Sequence, residues 1–163
     1  MEPFFSLSNS LAEVFGGSVA IEDLGRHILA YSSVPGQLID NLRTRGILSR
    51  QVPLTAFNDE QYRAVLKSTG PQRFPQFGDD HARTAIAVRA GTVPLGTIWA
   101  IDARVGASDV EEAEKQGALA HAATVAASHM LENWRVQEAN QPPREDVLRR
   151  LLAGTDLTRT DLA

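Results

Sequence analysis

Between Arg83 and Asp102 the chain reads RTAIAVRAGTVPLGTIWAID, an alternation that leaves neither face polar. In the first half Ile86 and Val88 fall on one side, with Ala85, Ala87 and Arg89 on the other. From Leu95 to Ile101, Leu95, Thr97, Trp99 and Ile101 oppose Gly96, Ile98 and Ala100. Period-two patterning with both sides apolar predicts two strands covered on both faces. Ala90 and Gly91 supply the turn between them, because glycine takes positive φ without steric cost. A small central sheet carrying helices is the simplest architecture that buries such a hairpin.

The rest of the chain supplies those helices. Leu7, Leu11, Val14 and Phe15 share one helical face, with Ser10 and Glu13 at capping-box spacing and Gly16-Gly17 as the stop. SVAIED and HILAYSS then read as two short strands joined at the turn containing Gly25. Leu38, Leu42, Ile47 and Leu48 return at helical spacing within Gln37 to Arg50, and Pro53 closes that segment. Asn58 is placed to cap a further helix, NDEQYRAVLKST, ending at Gly70; the prolines and glycine of PQRFPQFGDD predict a loop.

Ser108 and Glu111 form a second capping box, and no proline intervenes until about Asn140, which predicts a helix of roughly 30 residues and about 45 Å. Its middle, GALAHAATVAA, is small or apolar nearly all round and asks for cover on more than one side. Gly117, Ala120, Thr124, Ala127 and Leu131 alternate steps of three and four, the seam of a two-helix contact with a second subunit or with another helix of the same chain. Beyond Pro143 a short charged helix stops at Gly154, so residues 1–140 read as one domain and 141–163 as a linker helix leading to further domains.

Charge and chemistry narrow the function. A formal net charge of -4 gives no broad cationic surface for phosphate neutralisation, so DNA binding by this chain itself is not expected. The absence of cysteine removes disulfides, thiolate ligands and thiol nucleophiles, and MEPFFSLSNSL has neither the charge pattern of a signal peptide nor the length of a membrane span, which makes the cytoplasm the expected location. The four histidines, His27, His81, His121 and His129, form no HExxH or i, i+4 pair, and neither GxSxG nor GxxxxGK[ST] occurs. No catalytic residue, metal or cofactor is therefore assigned. Asp79, Asp80 and His81 are the one local acid and imidazole cluster, read as turn-forming rather than catalytic. Tyr31, Phe57 and Trp99 are candidates to line a pocket between the sheet and the middle helices, core packing being the alternative. Arg89 joins them because a charge among alanines on an apolar strand needs a partner: an acidic side chain, water at a sheet edge or an anionic ligand.

The succession LAEVFGGSVAIEDLGRHILAYSS, RTRGILSRQVP, RTAIAVRAGTVPLGTIWAID and the alanine-rich helix resembles the N-terminal GAF-like sensor region of actinobacterial PucR/CdaR-type transcriptional regulators. The resemblance implies an α+β fold with a small antiparallel sheet, helices on both faces and a long C-terminal helix. It also implies a non-catalytic regulatory role: homodimerisation, sensing of a small molecule, and DNA binding through domains that follow. A pure dimerisation module and an unrecognised small enzyme are the competing readings.

Overall fold

A computed structural model of the chain describes residues 2–53 and 55–139. The chain divides into two compact units, Met1–His129 and Met130–Ala163. The first opens with helix α1 (Glu2–Phe15), followed by strands β1 (Val19–Asp23) and β2 (Ile28–Tyr31). Helices α2 (Asn41–Ser49) and α3 (Ala56–Lys67) come next, then strands β3 (Gln72–Phe74), β4 (Arg83–Ala90) and β5 (Val93–Ile101), and finally helix α4 (Asp109–Ala139), whose residues from Met130 on belong to the second unit. The linker helix expected within 141–163 lies outside the described residues.

The five strands form one antiparallel sheet in the order β2-β1-β5-β4-β3, so the predicted hairpin occupies its centre. Its strands meet with Ala85 opposite Trp99 and Ile86 opposite Ile98, closed by a two-residue turn in which Gly91 has φ 61°. The register sorts the two faces. Ile21, Ile86 and Ile98 point one way, and all three are buried. Ala20, Ala85, Ala87 and Trp99 point the other way, and Tyr62 and Val65 of α3 pack with Ala85, Ala87 and Trp99. At about 25 cal/mol per Å² of apolar surface, such two-sided burial is the main stabilising term of a sheet this small.

Helix α1 starts eight residues before the predicted cap: Phe4, Ser8, Leu11, Ala12 and Phe15 form its buried face, and Ser10 is an interior residue whose hydroxyl donates to the Ser6 carbonyl (3.1 Å). Within the segment Gln37 to Arg50 the helix α2 starts only at Asn41, where Asp40 caps it by accepting from Arg43 N (2.9 Å). Thr55, rather than Asn58, caps α3, while the Asn58 side chain donates to the Pro53 carbonyl. The segment expected to be loop contains β3, whose flanking Pro71 and Pro75 lie just outside the strand, as tolerated at a sheet edge. Gly17 is fixed by close approach: a Cβ there would sit 2.1 Å from the Ile101 carbonyl oxygen.

Helix α4 begins as predicted, with Ser108 Oγ accepting from Glu111 N. Lys115, Leu119, Ala122, Ala123, Ala126 and Ala127 are its buried residues. The Phe4 ring meets the His129 ring edge-on, joining α1 to α4. Of the predicted seam, Gly117, Ala120 and Thr124 are exposed and Leu131 is partly buried, whereas Ala127 belongs to the covered side.

Candidate functional site

A cavity lies between the sheet and helices α2 and α3. Its apolar wall is made by Ile28, Leu42, Val52 and Trp99, and its polar wall by the charged Glu22, Arg26, Arg43 and Arg83 with the amides Asn58 and Gln61. Its volume is about 30 Å³, room for one or two waters. What distinguishes it is the charge around that small space: one carboxylate and three guanidiniums, each residue no more than 7% exposed.

Each side chain arrives by a definite route. Glu22 lies opposite Thr97 on β5, hence on the Trp99 face, and the β1–β2 register slips beside it so that Ile28 becomes its neighbour. Arg83 starts β4 and forms a buried ion pair with Asp40, whose carboxylate also caps α2 and accepts from His81 N (3.0 Å). Arg43 reaches down from α2 to donate to Ser18 Oγ (3.1 Å) and the Trp99 carbonyl (3.0 Å). Gly46, one turn further along α2, lets the helix approach β2, where a Cβ would come 3.3 Å from Ile28 Cδ1.

Arg26 is held differently. It ends the β1–β2 turn with φ 64°, a conformation that L side chains avoid, and it is pinned there from both sides. Its N–H donates to the Asp23 carbonyl (3.0 Å), and its own carbonyl accepts from Val52 N (3.1 Å). The guanidinium lies 4.7 Å above the Tyr62 ring, and its nearest acid, Asp59 at 3.9 Å, is shared with Arg63. Arg26 Nε and Nη1 are buried with no hydrogen-bond partner among the described residues. A buried donor without a partner costs about 1–3 kcal/mol, more when charged.

Burial pushes the Glu22 carboxyl up to about 8, against the pull of Arg43, Arg26 and Arg83 toward ionisation. Burial and the neighbouring Arg83 charge bring Arg43 down to about 10, with Glu22 and Asp40 opposing. Burial, reinforced by the Glu22 charge, also raises the Tyr62 phenol.

Of the four residues predicted to bind a ligand, the structure brings only Trp99 to this cavity. Tyr31 is on the outer strand β2, half exposed and edge-on to Phe5. Phe57 stacks on Phe77 at 4.3 Å, both substantially exposed. Arg89 lies outside the cavity, at the end of α3: its guanidinium donates to the Leu66 and Ser68 carbonyls, and its Nε is buried with no hydrogen-bond partner among the described residues. Asp80 pairs through its backbone with Phe77 across a turn at Gly78, and His81 contributes its N–H to Asp40. Among the described residues no cluster of three potential metal ligands occurs, and no helix is long and apolar enough to cross a membrane.

No protein-family model matches the chain, and no curated protein matches it. Solved structures do. A blue-light-absorbing GAF domain of PixJ from Thermosynechococcus elongatus aligns with a TM-score of 0.51 at 12% identity, over 85% of this chain and 91% of that one. The GAF domain/HD domain protein of Geobacter sulfurreducens aligns with a TM-score of 0.50 at 18% identity, over 77% and 90%. The fold is GAF-like. The cofactor-binding GAF domain of the nutrient sensor CodY from Clostridium difficile is also similar, with a TM-score of 0.48 at 16% identity over 76% and 81%.

In this GAF-like domain the sequence pattern missed Glu22, Arg26, Arg43 and Arg83. A charge alternating with alanines, the signal at Arg89, also marks Glu22 two residues after Ala20 and Arg83 two before Ala85. Nothing in the local sequence marks Arg26, whose position depends on the turn and on Val52, 26 residues away in the chain.

Proposed function

We propose that this GAF-like domain is a non-catalytic, ligand-sensing regulatory module that acts in the cytoplasm as a homodimer, within a transcriptional regulator of the PucR/CdaR type. The observation that supports this best is the cavity between the sheet and α2–α3, walled by buried charges of which Arg26 is incompletely satisfied. A physical route leads from it to α4. Trp99 lines the cavity, and three residues on, the Asp102 carboxylate accepts from Lys115 of α4 at 2.7 Å. A ligand that favours one position of β5 shifts α4 through that contact. The exposed Gly117, Ala120 and Thr124 offer α4 a close approach to a second copy, with Leu131 continuing the seam. DNA contacts would belong to other domains of such a regulator, since the formal net charge here is -4.

Light scattering together with hydrogen exchange tests this reading. The chain should be a dimer that Ala120→Glu makes monomeric, and Gly46→Leu, which fills the cavity, should alter exchange along α4. A chain that stays monomeric at high concentration, or an α4 indifferent to cavity filling, removes the relay. The present cavity volume, about 30 Å³, favours the second reading of a dimerisation module with a filled interior. In that case Ala120→Glu disrupts the dimer while Gly46→Leu leaves α4 unchanged.

A further inference from the structure

We propose that the cavity beside Arg26 is a carboxylate site, taking a small organic monoanion whose head group bonds to Arg26 and whose short apolar body lies against Ile28, Val52 and Trp99. This rests on the sensing reading and adds the chemistry of the ligand to it.

Three independent features converge on Arg26. Its backbone is held in the left-handed region, the residue is 7% exposed, and two of its guanidinium nitrogens have no hydrogen-bond partner among the described residues, Asp59 lying 3.9 Å away. A turn could relieve the first with glycine, and solvent could relieve the other two. Strain and unsatisfied donors at one residue persist when the surrounding structure over-determines them, here through the Asp23 and Val52 backbone bonds, and such residues cluster at ligand clamps. The other two guanidiniums are already engaged, Arg83 with Asp40 and Arg43 with Ser18 and the Trp99 carbonyl. Arg26 is thus the cation whose donors are left for a ligand.

Charge balance sets the valence. Around the cavity, Arg26, Arg43 and Arg83 face Glu22 and Asp40, while Asp59, 3.9 Å from Arg26, is the closer partner of Arg63 at 2.9 Å. With Glu22 ionised, one positive charge is left over; with Glu22 protonated, its O–H becomes a further donor toward the same anion. A monocarboxylate suits both states, whereas a phosphate dianion would set two negative charges beside Glu22. The remaining wall is mostly aliphatic or aromatic, with the amides of Asn58 and Gln61 on its α3 side and Asn58 already bonded to the Pro53 carbonyl, so a short hydrocarbon body suits it better than a sugar or a base.

Entry requires movement, because the cavity as it stands holds only water-sized contents. Helix α2 is the element suited to yield. Its only buried residues are Arg43 and Gly46, and Leu48 is 80% exposed, so little apolar surface anchors it.

The test uses the chain with Trp134→Phe, which leaves Trp99 as the only tryptophan and makes its emission a reporter from inside the cavity. Probes are straight and branched carboxylates of three to six carbons, the matching primary amides, and inorganic phosphate. Expected is a saturable change in Trp99 emission and a rise in Tm with at least one carboxylate, with its amide about tenfold weaker or worse, as for loss of a charged hydrogen bond. Arg26→Met should weaken that carboxylate about tenfold or more while circular dichroism remains native. Gly46→Leu should abolish the response by occupying the space, a control that leaves Arg26 intact. The proposal is overturned if no carboxylate binds, if amides or phosphate bind as well as carboxylates, or if a folded Arg26→Met binds unchanged. Should the carboxylates fail while Gly46→Leu still alters exchange along α4, the ligand class is wrong and the relay survives; should α4 stay unresponsive, the sensing reading itself is lost.

Discussion

Two groups of buried charges, one under α4 and one under α2 and α3, are built from the same residue types to opposite standards. Under α4, Lys115 is 2% exposed and every donor direction is used: Asp102 Oδ2 at 2.7 Å, Glu112 Oε2 at 2.7 Å and the Arg104 carbonyl at 3.0 Å. The second Asp102 oxygen accepts from Arg104 N at 2.8 Å. Burial works against the Lys115 charge, but the hydrogen bonds it donates to Asp102 and Glu112 outweigh it and hold the amine above the usual lysine range. Under α2 and α3, Arg26 lacks partners for two nitrogens, Glu22 is pushed up to about 8, and a cavity separates the groups. The first cluster fixes α4 to the end of β5. The second holds an unfavourable arrangement in place, which is intelligible where a missing group completes it. Under the proposed carboxylate site, the contrast sets a structural α4 side against an α2 side left open for recognition.

The sharpest way to break the comparison is to unpair the satisfied cluster. Lys115→Ala should destabilise the chain by about 3–5 kcal/mol in urea unfolding, because Asp102 is left as an uncompensated buried charge. The double replacement Lys115→Met with Asp102→Asn should recover most of that loss, since an apolar substitute for a buried pair is often near neutral. Recovery that fails would mean the pair does more than hold α4 down. Gly17→Ala comes next, at about 2–3 kcal/mol by the same measurement, because its methyl would collide with the Ile101 carbonyl where the end of β5 passes. Loss of a comparable size from Arg26→Met would contradict the contrast, as that substitution removes a charge already poorly satisfied.

These differences in the fate of similar residues also explain what the sequence revealed. The central hairpin was legible because two apolar faces in alternation have few other solutions, and α4 because a long proline-free run opens with Ser108. Caps were misplaced where two adequate residues lay close together, as with Thr55 and Asn58, and the choice fell to tertiary contacts such as the Asn58 bond to Pro53. The site was only partly legible. Trp99 follows from its face of β5, but Tyr31 and Phe57 carry the same aromatic signal on exposed positions. The importance of Arg26 lies in a backbone conformation and in the absence of partners, and neither is written in residue type.

Protonation of Glu22 sharpens the contrast at a smaller scale. Its folded pKa, raised from 4.5 to about 8, means that the folded chain holds this proton more tightly than the unfolded one. Its contribution is therefore complete below about pH 4.5, declines as pH rises and is gone above about pH 8, with a slope of at most about 1.4 kcal/mol per pH unit. Urea midpoints between pH 5 and 8 should fall in the wild-type chain and stay level in Glu22→Gln, the variant being the more stable at pH 8. Lys115, raised from the lysine value, and Glu112, lowered chiefly by its hydrogen bond from Lys115, titrate outside this window and leave it to Glu22. Parallel slopes in the two proteins would mean that the arginines keep Glu22 ionised.

The smallest effect probes whether α2 is the loosely held element that recognition requires. Arg50 ends α2 at φ 60° with its N–H donating to the Ile47 carbonyl, an exposed left-handed cap of the kind usually made by glycine. Arg50→Gly removes the Cβ penalty at the cost of a more flexible unfolded chain, for a net gain of up to about 1 kcal/mol. Where that gain appears matters more than its size. If α2 opens ahead of the core, as its two buried residues, Arg43 and Gly46, imply, exchange of α2 amides should slow severalfold while the global urea midpoint barely moves. A midpoint that rises by the full amount would show that α2 melts with the sheet, and the α2 side would then be as firmly built as the α4 side.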